Sequence, residues 1–210
     1  MNWLERGEVE VNGIEDRFTE IDEFNKKPNK IRQYLQGSNK DSVITPHAVN
    51  YWRMKLQFEI SQDTWLLPRI TTKEVRLREL QWKIMHNLYP TNILLKKMGI
   101  CRSENCNYCQ EALDTLQHFY YECPLSKILW KYVERKVCFT MRKTITFSVT
   151  EILFGVQDVC GCSKRDVMLI NHFVLIGKMC ISKLKKSNLT IPLDILFELE
   201  CDLRKCSRKE

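Results

Sequence analysis

Apolar residues recur at helical spacing through most of the chain that follows His47. The stretch HAVNYWRMKLQFEIS predicts helical structure that begins at about His47 and stops near Leu67-Pro68, because proline disfavours a continuing helix. The next stretch, TTKEVRLRELQWKIMHNLY, predicts a second helix with Thr72 as its N-cap and Pro90 at its end. The pattern therefore places helices directly before a cysteine-rich segment.

The second predicted helix carries apolar side chains on two sides. At 100° per residue, one stripe about 80° wide is formed by Leu77, Leu80, Ile84 and Leu88. Val75 and Trp82 fall on the opposite side. We therefore expect this helix to pack on two faces, with Trp82 in the core.

The C-terminal half is also patterned as helix. Pro124 suits the first turn of a helix in PLSKILWKYVERKV. A long helix is predicted from about 163 to 186, with a centre that is apolar nearly all round and must be buried. A final helix begins near Pro192. The longest apolar run, Val167–Ile181, is interrupted by polar residues, and we expect it to be too short and too polar to span a bilayer.

The composition agrees with a helical, globular protein of three parts. Seven glycines and six prolines in 210 residues are few, which favours helices over turn-rich β architecture. Residues 1–45 are weakly patterned, acidic and then basic, and are predicted to be weakly ordered. Residues 46–137 contain the cysteine-rich segment, and residues 138–210 form a helical C-terminal tail.

The charge is unevenly distributed along the chain. Residues 1–25 carry eight acids against Arg6 and Arg17, so the overall net charge of +7 leaves a net +13 on the rest. A basic body of this size suits an anionic partner, of which nucleic acid is the commonest. A solvated, mildly basic surface is the alternative.

Ten cysteines are compatible with disulfides or with metal. The N-terminal stretch MNWLERGEVEVNGIEDRF is charged and lacks the apolar core of a signal peptide. We therefore expect an intracellular protein, nuclear or cytoplasmic, in which thiols stay reduced and clustered Cys and His residues bind metal. No membrane partner is expected.

One segment, CNYCQEALDTLQHFYYEC, has metal-ligand spacing. Cys106, Cys109, His118 and Cys123 follow the pattern C-x2-C-x8-H-x4-C. Zinc takes four tetrahedral N and S ligands in a closed structural site, and a two-residue gap lets both sulfurs of a turn reach one ion. We predict Zn²⁺ at these four residues. Ordinary thiols are the alternative.

The same reasoning predicts how the last two ligands are carried. A short helix can present His118, and Cys123 then lies beside the N-terminus of the next helix, which favours a thiolate. Cys101 could compete as a ligand, and Cys160 and Cys162 are interpreted as structural or incidental. The predicted fold class is mainly α, a helical domain with an embedded small CCHC zinc knuckle.

The sequence gives little support to an enzyme. It contains no glycine-rich phosphate loop, nucleophile elbow or paired-carboxylate pattern, and four protein ligands would leave no open position on zinc. No small-molecule substrate is expected.

Two stretches resemble the zinc-binding segment found downstream of the polymerase in non-LTR (LINE-type) retrotransposon reverse transcriptases. They are LRELQWKIMHNLYPTNILLKKMGI and CNYCQEALDTLQHFYYECPLSKILW. The positions that carry the resemblance are Gln81-Trp82, Met85-His86, Thr91-Asn92, Gly99, Cys106, Cys109, Asp114-Thr115-Leu116, His118, Phe119-Tyr120, Cys123-Pro124 and Trp130. The core of the match covers about 75–135, and weaker likeness extends over about 45–205.

The resemblance implies an accessory part of a polyprotein that carries out target-primed reverse transcription. In that family the segment contributes to binding template RNA or target DNA, beside a reverse transcriptase core. This chain lacks the Tyr-x-Asp-Asp motif of that core and has no adjacent aspartates. We therefore expect no polymerase activity, and interpret the chain as a remnant or fragment of such an element.

Two functions remain open from the sequence. The first is nucleic-acid binding through a basic surface formed by Arg69, Lys73, Arg76, Lys83, Lys96, Lys97 and Arg102. The aromatic run Phe119-Tyr120-Tyr121 could stack on unpaired bases, although core packing around the zinc is the favoured interpretation. The second is a structural or protein-interaction module without nucleic-acid binding.

Overall fold

The computed structural model describes residues 47–186 and 191–205, and its regular elements there are helices. In that part of the chain there are eight α-helices, one turn of π-helix and no β-strand. In chain order they are α1 (His47–Leu56), α2 (Gln62–Thr71), α3 (Val75–Met85), α4 (Asn92–Lys97), the π-helical turn (His118–Glu122), α5 (Pro124–Met141), α6 (Val149–Phe154), α7 (Lys164–Lys186) and α8 (Leu193–Leu203). The prediction of a mainly helical fold is confirmed.

All of these helices belong to one compact unit, Pro46–Glu210. Both the predicted zinc-binding part, 46–137, and the predicted helical tail, 138–210, lie in this unit. The predicted weakly ordered segment, residues 1–45, lies outside the described residues.

Helix α7 forms the centre of this unit. Its residues 170–178 are all buried, and α2, α3, α5 and α8 pack around it. Its bounds agree with the predicted 163–186. The predicted helices at Pro124 and near Pro192 are α5 and α8.

By length and composition alone, the segment Lys164–Leu184 of α7 could cross a bilayer. The apolar pattern of the shorter run Val167–Ile181 instead predicts a segment too short and too polar to do so. However, 78% of the apolar window is buried inside the protein. A core helix passes the same test, so these two properties do not by themselves indicate a membrane span.

The first predicted helix is two helices. α1 ends at Leu56, and Gln57 follows it with a positive φ of 51°, which breaks the helix. α2 then begins after Ser61, whose Oγ caps its first turn, and continues through Pro68 to Thr71. The prediction that helical structure stops near Leu67-Pro68 is therefore wrong.

Helix α3 is shorter than predicted at both ends. Its N-cap is Glu74, and Thr72 lies two residues earlier, where its Oγ1 accepts a hydrogen bond of 3.2 Å from the Glu74 N–H. At the other end the helix stops at Met85, and Asn87 has a left-handed φ of 56°. The chain thus turns before it reaches Pro90.

Only one face of α3 is buried. Leu77, Leu80 and Ile84 lie in the core, as predicted. On the opposite face Val75 is 65% exposed and Trp82 is 49% exposed. The prediction that α3 packs on two faces, with Trp82 in the core, is wrong, because no core side chain from residues 47–186 or 191–205 covers the second face.

Helices α5 and α7 approach closely at Gly177. A Cβ atom added there would lie 2.8 Å from two ring carbons of Trp130. Trp130 is buried, and its Nε1 donates a 2.5 Å hydrogen bond to the carbonyl of Tyr120. Because glycine has no side chain, Gly177 leaves room for the ring of Trp130, whose hydrogen bond to Tyr120 holds the π-helical turn.

A lysine is buried in the centre of α7. The Lys178 Nζ donates to Gln81 Oε1 at 2.5 Å and to the Leu153 carbonyl at 3.2 Å. Gln81 Nε2 donates to the same carbonyl at 2.8 Å. Burial lowers the pKa of Lys178 to about 7, and the three groups join α7 to α3 and α6.

Candidate metal centre

The structure brings Cys106, Cys109, His118 and Cys123 together. One ligand atom from each lies within 4.8 Å of the other three. The Cys106 and Cys123 sulfurs are 3.9 Å apart, and the Cys109 sulfur is 3.4 Å from His118 Nε2. A tetrahedral zinc with bonds of about 2.3 Å to S and about 2.0 Å to N would have edges of about 3.8 and 3.5 Å. The donor set and its spacing fit a tetrahedral metal ion.

Cys106 and Cys109 lie in a short antiparallel ribbon, residues 104–114, which we call the ribbon. Asp114 N–H donates to the Glu104 carbonyl, and Cys106 N–H donates to the Ala112 carbonyl, each at 2.8 Å. Between these bonds the chain turns back sharply. The ribbon thereby places two sulfurs three residues apart on the inside of one turn.

The turn of the ribbon depends on Gln110. Its N–H donates to the Cys106 carbonyl at 2.9 Å, and its φ of 57° lies in the left-handed region. The backbone N–H of Glu111 points at the Cys109 sulfur and lowers the pKa of this thiol below its ordinary value. N–H donors to sulfur favour the thiolate, which is the form that binds metal.

His118 and Cys123 stand at the two ends of the π-helical turn. The Cys123 N–H donates to the His118 carbonyl at 2.7 Å, an i→i+5 bond. In an α-helix, 100° per residue would set the two side chains about 140° apart. The wider π-helical turn brings them toward the same side, so that both reach the ribbon. The predicted short helix is present, but its π form was not predicted.

Capping and side-chain hydrogen bonds hold this turn. Thr115 Oγ1 accepts from the His118 N–H at 2.9 Å, which starts the turn. Ser126 Oγ donates to the Phe119 carbonyl at 2.5 Å, and Trp130 donates to the next carbonyl. Helix α5 thus satisfies two backbone carbonyls of the turn.

Cys123 is the N-cap residue of α5, next to Pro124 in its first turn. Burial raises the pKa of the Cys123 thiol to about 11, and the N–H groups of Leu125 and Ser126 oppose this rise. Without a metal the thiol keeps its proton at neutral pH, so metal binding there releases a proton.

Asn92 and Asp114 hold the ribbon against α4, a role that the residue pattern did not predict for them. The Asn92 N–H donates to Asp114 Oδ2 at 2.6 Å. Its side-chain Nδ2 donates to the Asn105 carbonyl at 2.6 Å and to Asn107 Oδ1 at 2.8 Å. Asn92 and Asp114 are both buried. Both are among the positions that carry the family resemblance, and this was the available signal for their importance.

Other cysteines and histidines lie outside this cluster. Cys101 donates to the Asn92 and Ser103 carbonyls at 3.3 and 3.2 Å and is not among the clustered ligands. Cys160 is exposed, and Cys162 is half-buried beside Lys143. His86 is half-buried between two tryptophan rings rather than in the core.

The predicted basic residues lie on several elements. Lys83 is half-buried, and the exposed ones are Arg69, Lys73, Arg76, Lys96, Lys97 and Arg102. Lys83 pairs with Glu79 at 2.6 Å, and Lys96 pairs with Glu104 at 3.4 Å. These residues lie on the helices α2, α3 and α4, in the loop before α3 and in the loop before the ribbon.

The aromatic run after His118 is core structure. Phe119 and Tyr120 are 1% and 0% exposed, and Tyr121 is half-buried. The Tyr120 hydroxyl lies 2.8 Å from Ser182 Oγ on α7. Phe119 and Tyr120 therefore pack in the core, as the favoured interpretation of this run predicted.

The described part of the chain is a helical fold with one Cys/His cluster that could hold a metal ion. Residues 32–130, just under half of the chain, match the family described as zinc-binding in reverse transcriptase. The match includes all four clustered residues and ends at Trp130. No curated protein and no solved structure matches the chain.

Proposed function

We propose that this chain contains the zinc-binding accessory module of a LINE-type reverse transcriptase. One zinc ion is held as a CCHC site by Cys106, Cys109, His118 and Cys123. The observation that supports this most directly is the convergence of four buried or half-buried S and N donors within 4.8 Å. The family match over residues 32–130 supports zinc rather than another ion.

We propose that this zinc is structural and that the module is not catalytic. Four protein ligands fill a tetrahedral shell, whereas a catalytic zinc keeps one position for water or substrate. The metal would join the ribbon to the π-helical turn, which the apolar core holds on its other side.

Metal analysis of purified protein tests this proposal. We expect one zinc per chain, and we expect Cys109→Ser to lose it and to melt at a lower temperature. Cys160→Ser is the matched control, because Cys160 is an exposed thiol outside the cluster. Equal zinc content and melting temperature in Cys109→Ser and wild type would refute the ligand set.

We propose further that the module binds RNA or DNA. The segment from Arg69 to Arg102 carries eight lysines and arginines against Glu74 and Glu79. The cations named for this surface are Arg69, Lys73, Arg76, Lys83, Lys96, Lys97 and Arg102. Contacts between such cations and phosphates are largely blind to sequence and weaken steeply with salt.

Titration with single-stranded and duplex RNA and DNA at 50 and 200 mM salt tests nucleic-acid binding. We expect micromolar affinity at the lower salt that falls steeply at the higher one. Replacing Lys96 and Lys97 with alanine should weaken binding and reduce the salt slope. An absence of binding at low salt would refute nucleic-acid binding and leave the metal proposal intact.

A protein-interaction module is the second candidate, and one groove favours it. The groove has a volume of about 550 Å³ and lies between the ribbon, α5 and the start of α8. Its lining is mainly apolar and includes Tyr108, Leu125, Ile128, Ile191 and Leu193. A reverse transcriptase core is the partner that the family match suggests.

A further inference from the structure

Three aromatic rings form a cluster on the outside of α2 and α3. The His86 ring lies 4.4 Å from the Trp82 ring and 4.9 Å from the Trp65 ring, centroid to centroid. Trp82 is 49% exposed, and the other two rings are half-buried. We call these three residues the aromatic platform. Trp65 also packs against the core, but Trp82 lies opposite the buried face of α3, so burial in the core does not account for its exposed ring.

The platform lies between cations. At 100° per residue, Trp82 and His86 lie within about 40° of each other on the outer face of α3. Arg78 projects on one side of that face, and Arg76 and Lys83 project on the other. On α2, Arg69 lies one turn beyond Trp65, on the side that faces α3.

The acidic residues near the platform have cationic partners. Glu79 forms an ion pair with Lys83 at 2.6 Å, and Glu74 forms one with Arg204 at 2.7 Å. The face around the platform is therefore positive overall, with exposed aromatic surface at its centre.

We propose that the aromatic platform stacks the unpaired bases of a single-stranded nucleic acid, while the flanking cations hold its phosphates. Exposed aromatic side chains within a basic surface are how proteins bind single strands without reading their sequence, because every base has a π-face. The inference rests on the proposed nucleic-acid binding and adds that the module prefers single strands to duplexes. It also replaces the run Phe119-Tyr120-Tyr121 as the stacking surface, since Phe119 and Tyr120 are buried.

Charge distinguishes a nucleic acid from a protein partner at this face. A docked protein would cover the exposed apolar side chains with its own apolar surface, and the surrounding cations would lose water without compensation. A phosphate backbone supplies that compensation beside every stacked base. The groove near the ribbon, by contrast, is mainly apolar and is the better candidate for a protein partner.

Binding of a labelled 20-nucleotide oligo-U strand and of a duplex of equal length to the zinc-loaded full chain tests the proposal. We expect Trp82→Ala to weaken single-strand binding by roughly 10-fold without changing the salt slope. Duplex binding should be unchanged, because paired bases offer no free face. Arg76→Ala should instead reduce the slope of log affinity against log salt by about 0.7 on single strands.

Two substitutions at the same position separate stacking from simple apolar contact. Trp82→Phe keeps a π-face and should bind the single strand within about 3-fold of wild type. Trp82→Leu keeps apolar area without a π-face and should bind as weakly as Trp82→Ala. Phe139→Ala is the matched control, since Phe139 is an aromatic residue on α5 that is 88% exposed.

The possible results separate this proposal from the one on which it rests. If wild type shows salt-dependent binding and Trp82→Ala binds the single strand equally well, the platform is not the stacking surface, although nucleic-acid binding stands. If wild type binds neither strand form at low salt, the nucleic-acid proposal itself fails. Equal loss in Trp82→Leu and Trp82→Phe, with zinc content and melting unchanged, would show that a π-face at this position does not hold the strand, and it would refute stacking on the platform.

Discussion

The ribbon and helix α7 lie in the same folded unit, but different forces hold them. From residue 170 to 178, α7 is buried on every side, so removal of apolar surface from water stabilises it. In the ribbon, by contrast, residues 105, 107, 110 and 111 are all exposed. Its fold depends on backbone hydrogen bonds, on Asn92 and Asp114, and on the Cys/His cluster.

The difference shows how a short segment with a Cys/His cluster can be ordered without a core of its own. The π-helical turn connects the two regions, because one side presents His118 and Cys123 and the other buries Phe119 and Tyr120. If the proposed zinc is bound, the ion stabilises the ribbon, and the core fixes the position of the ion through the π-helical turn. The predictions below separate these contributions, beginning with the largest effect.

Removal of zinc should have the largest effect, and it should be greatest in the ribbon. Structural zinc sites in small fingers contribute about 10–16 kcal/mol of apparent binding energy. With a chelator present, we expect amide hydrogens in residues 104–114 to exchange far faster, while those of α7 stay protected. Hydrogen exchange followed by mass spectrometry measures both regions in one sample.

Cys160→Ser should show the same exchange pattern as wild type in that experiment, because the exposed Cys160 is not part of the cluster. Equal acceleration of α7 and the ribbon on chelation would contradict the idea that they are held by different forces.

Substitution of Lys178 should have the next largest effect, and it acts on α7. Its pKa of about 7 lies below the ordinary lysine value of 10.5, so between those pH values the unfolded chain binds more protons than the folded chain. The free energy of unfolding should therefore rise with pH from 7 to 10, and below pH 7 this contribution is constant. We expect Lys178→Met to lack this rise, a difference of roughly 3 kcal/mol over that interval.

Urea unfolding of zinc-loaded wild type and Lys178→Met at pH 7, 8.5 and 10 measures the difference. Other titrating groups are common to both proteins and cancel. Lys131→Met, at an exposed lysine of α5, is the control and should follow wild type. Parallel curves for wild type and Lys178→Met would show that Lys178 titrates normally.

Gly177→Ala should disturb the contact between α7 and the π-helical turn. The new methyl group would lie 2.8 Å from the ring of Trp130, and overpacking of this kind costs about 1–3 kcal/mol. Better helix propensity of alanine offsets about 1 kcal/mol of that cost. We expect a net loss of stability of about 1 kcal/mol in urea unfolding.

A double-mutant cycle with Trp130→Phe assigns the cause. The smaller ring leaves room for the methyl group, so Gly177→Ala should cost less in the Trp130→Phe background than in wild type. An increase in stability on Gly177→Ala in wild type would mean that the helices separate freely at this point.

Gln110→Gly should have the smallest effect and should stabilise the ribbon. Gln110 has a left-handed φ of 57°, which glycine adopts without steric cost. The greater freedom of glycine in the unfolded chain reduces the gain, so we expect less than about 1 kcal/mol. Thermal melting of the zinc-loaded protein measures it.

Glu111→Gly is the matched control, since Glu111 is the next exposed residue of the ribbon and its φ is not positive. It should lower the melting temperature slightly. If both glycine variants were destabilised alike, the turn of the ribbon would not depend on its left-handed residue.

Much of this fold could be predicted from local sequence. The helices α5, α7 and α8 have long, strong periodic patterns, and they start where Pro124, the segment near 163 and Pro192 indicated. The four clustered residues lie within eighteen positions, so the turns of one short segment bring them together. Local spacing was sufficient to predict these helices and the cluster. That the four clustered residues bind a metal stays a prediction, which metal analysis can test.

Other features depend on residues that are distant in sequence. Periodicity showed that α3 has a second apolar side at Val75 and Trp82, but not whether another element covers it. The π form of the turn at His118 depends on Ser126 and Trp130, which satisfy its carbonyls from α5. The burial of Lys178 depends on Gln81 and Leu153, which lie far from it along the chain.

By itself, the sequence determined the helical class, the main helices and the group of residues that can hold a metal. Each of these follows from interactions within one turn or one short segment, which the order of residues specifies directly. Only the tertiary structure decided that Trp82 stays exposed beside His86 and that Phe119 and Tyr120 are buried. Burial is decided by which surfaces meet. Helices α7 and α5 meet the aromatic residues after His118, whereas in the described part of the chain no core element covers the outer face of α3.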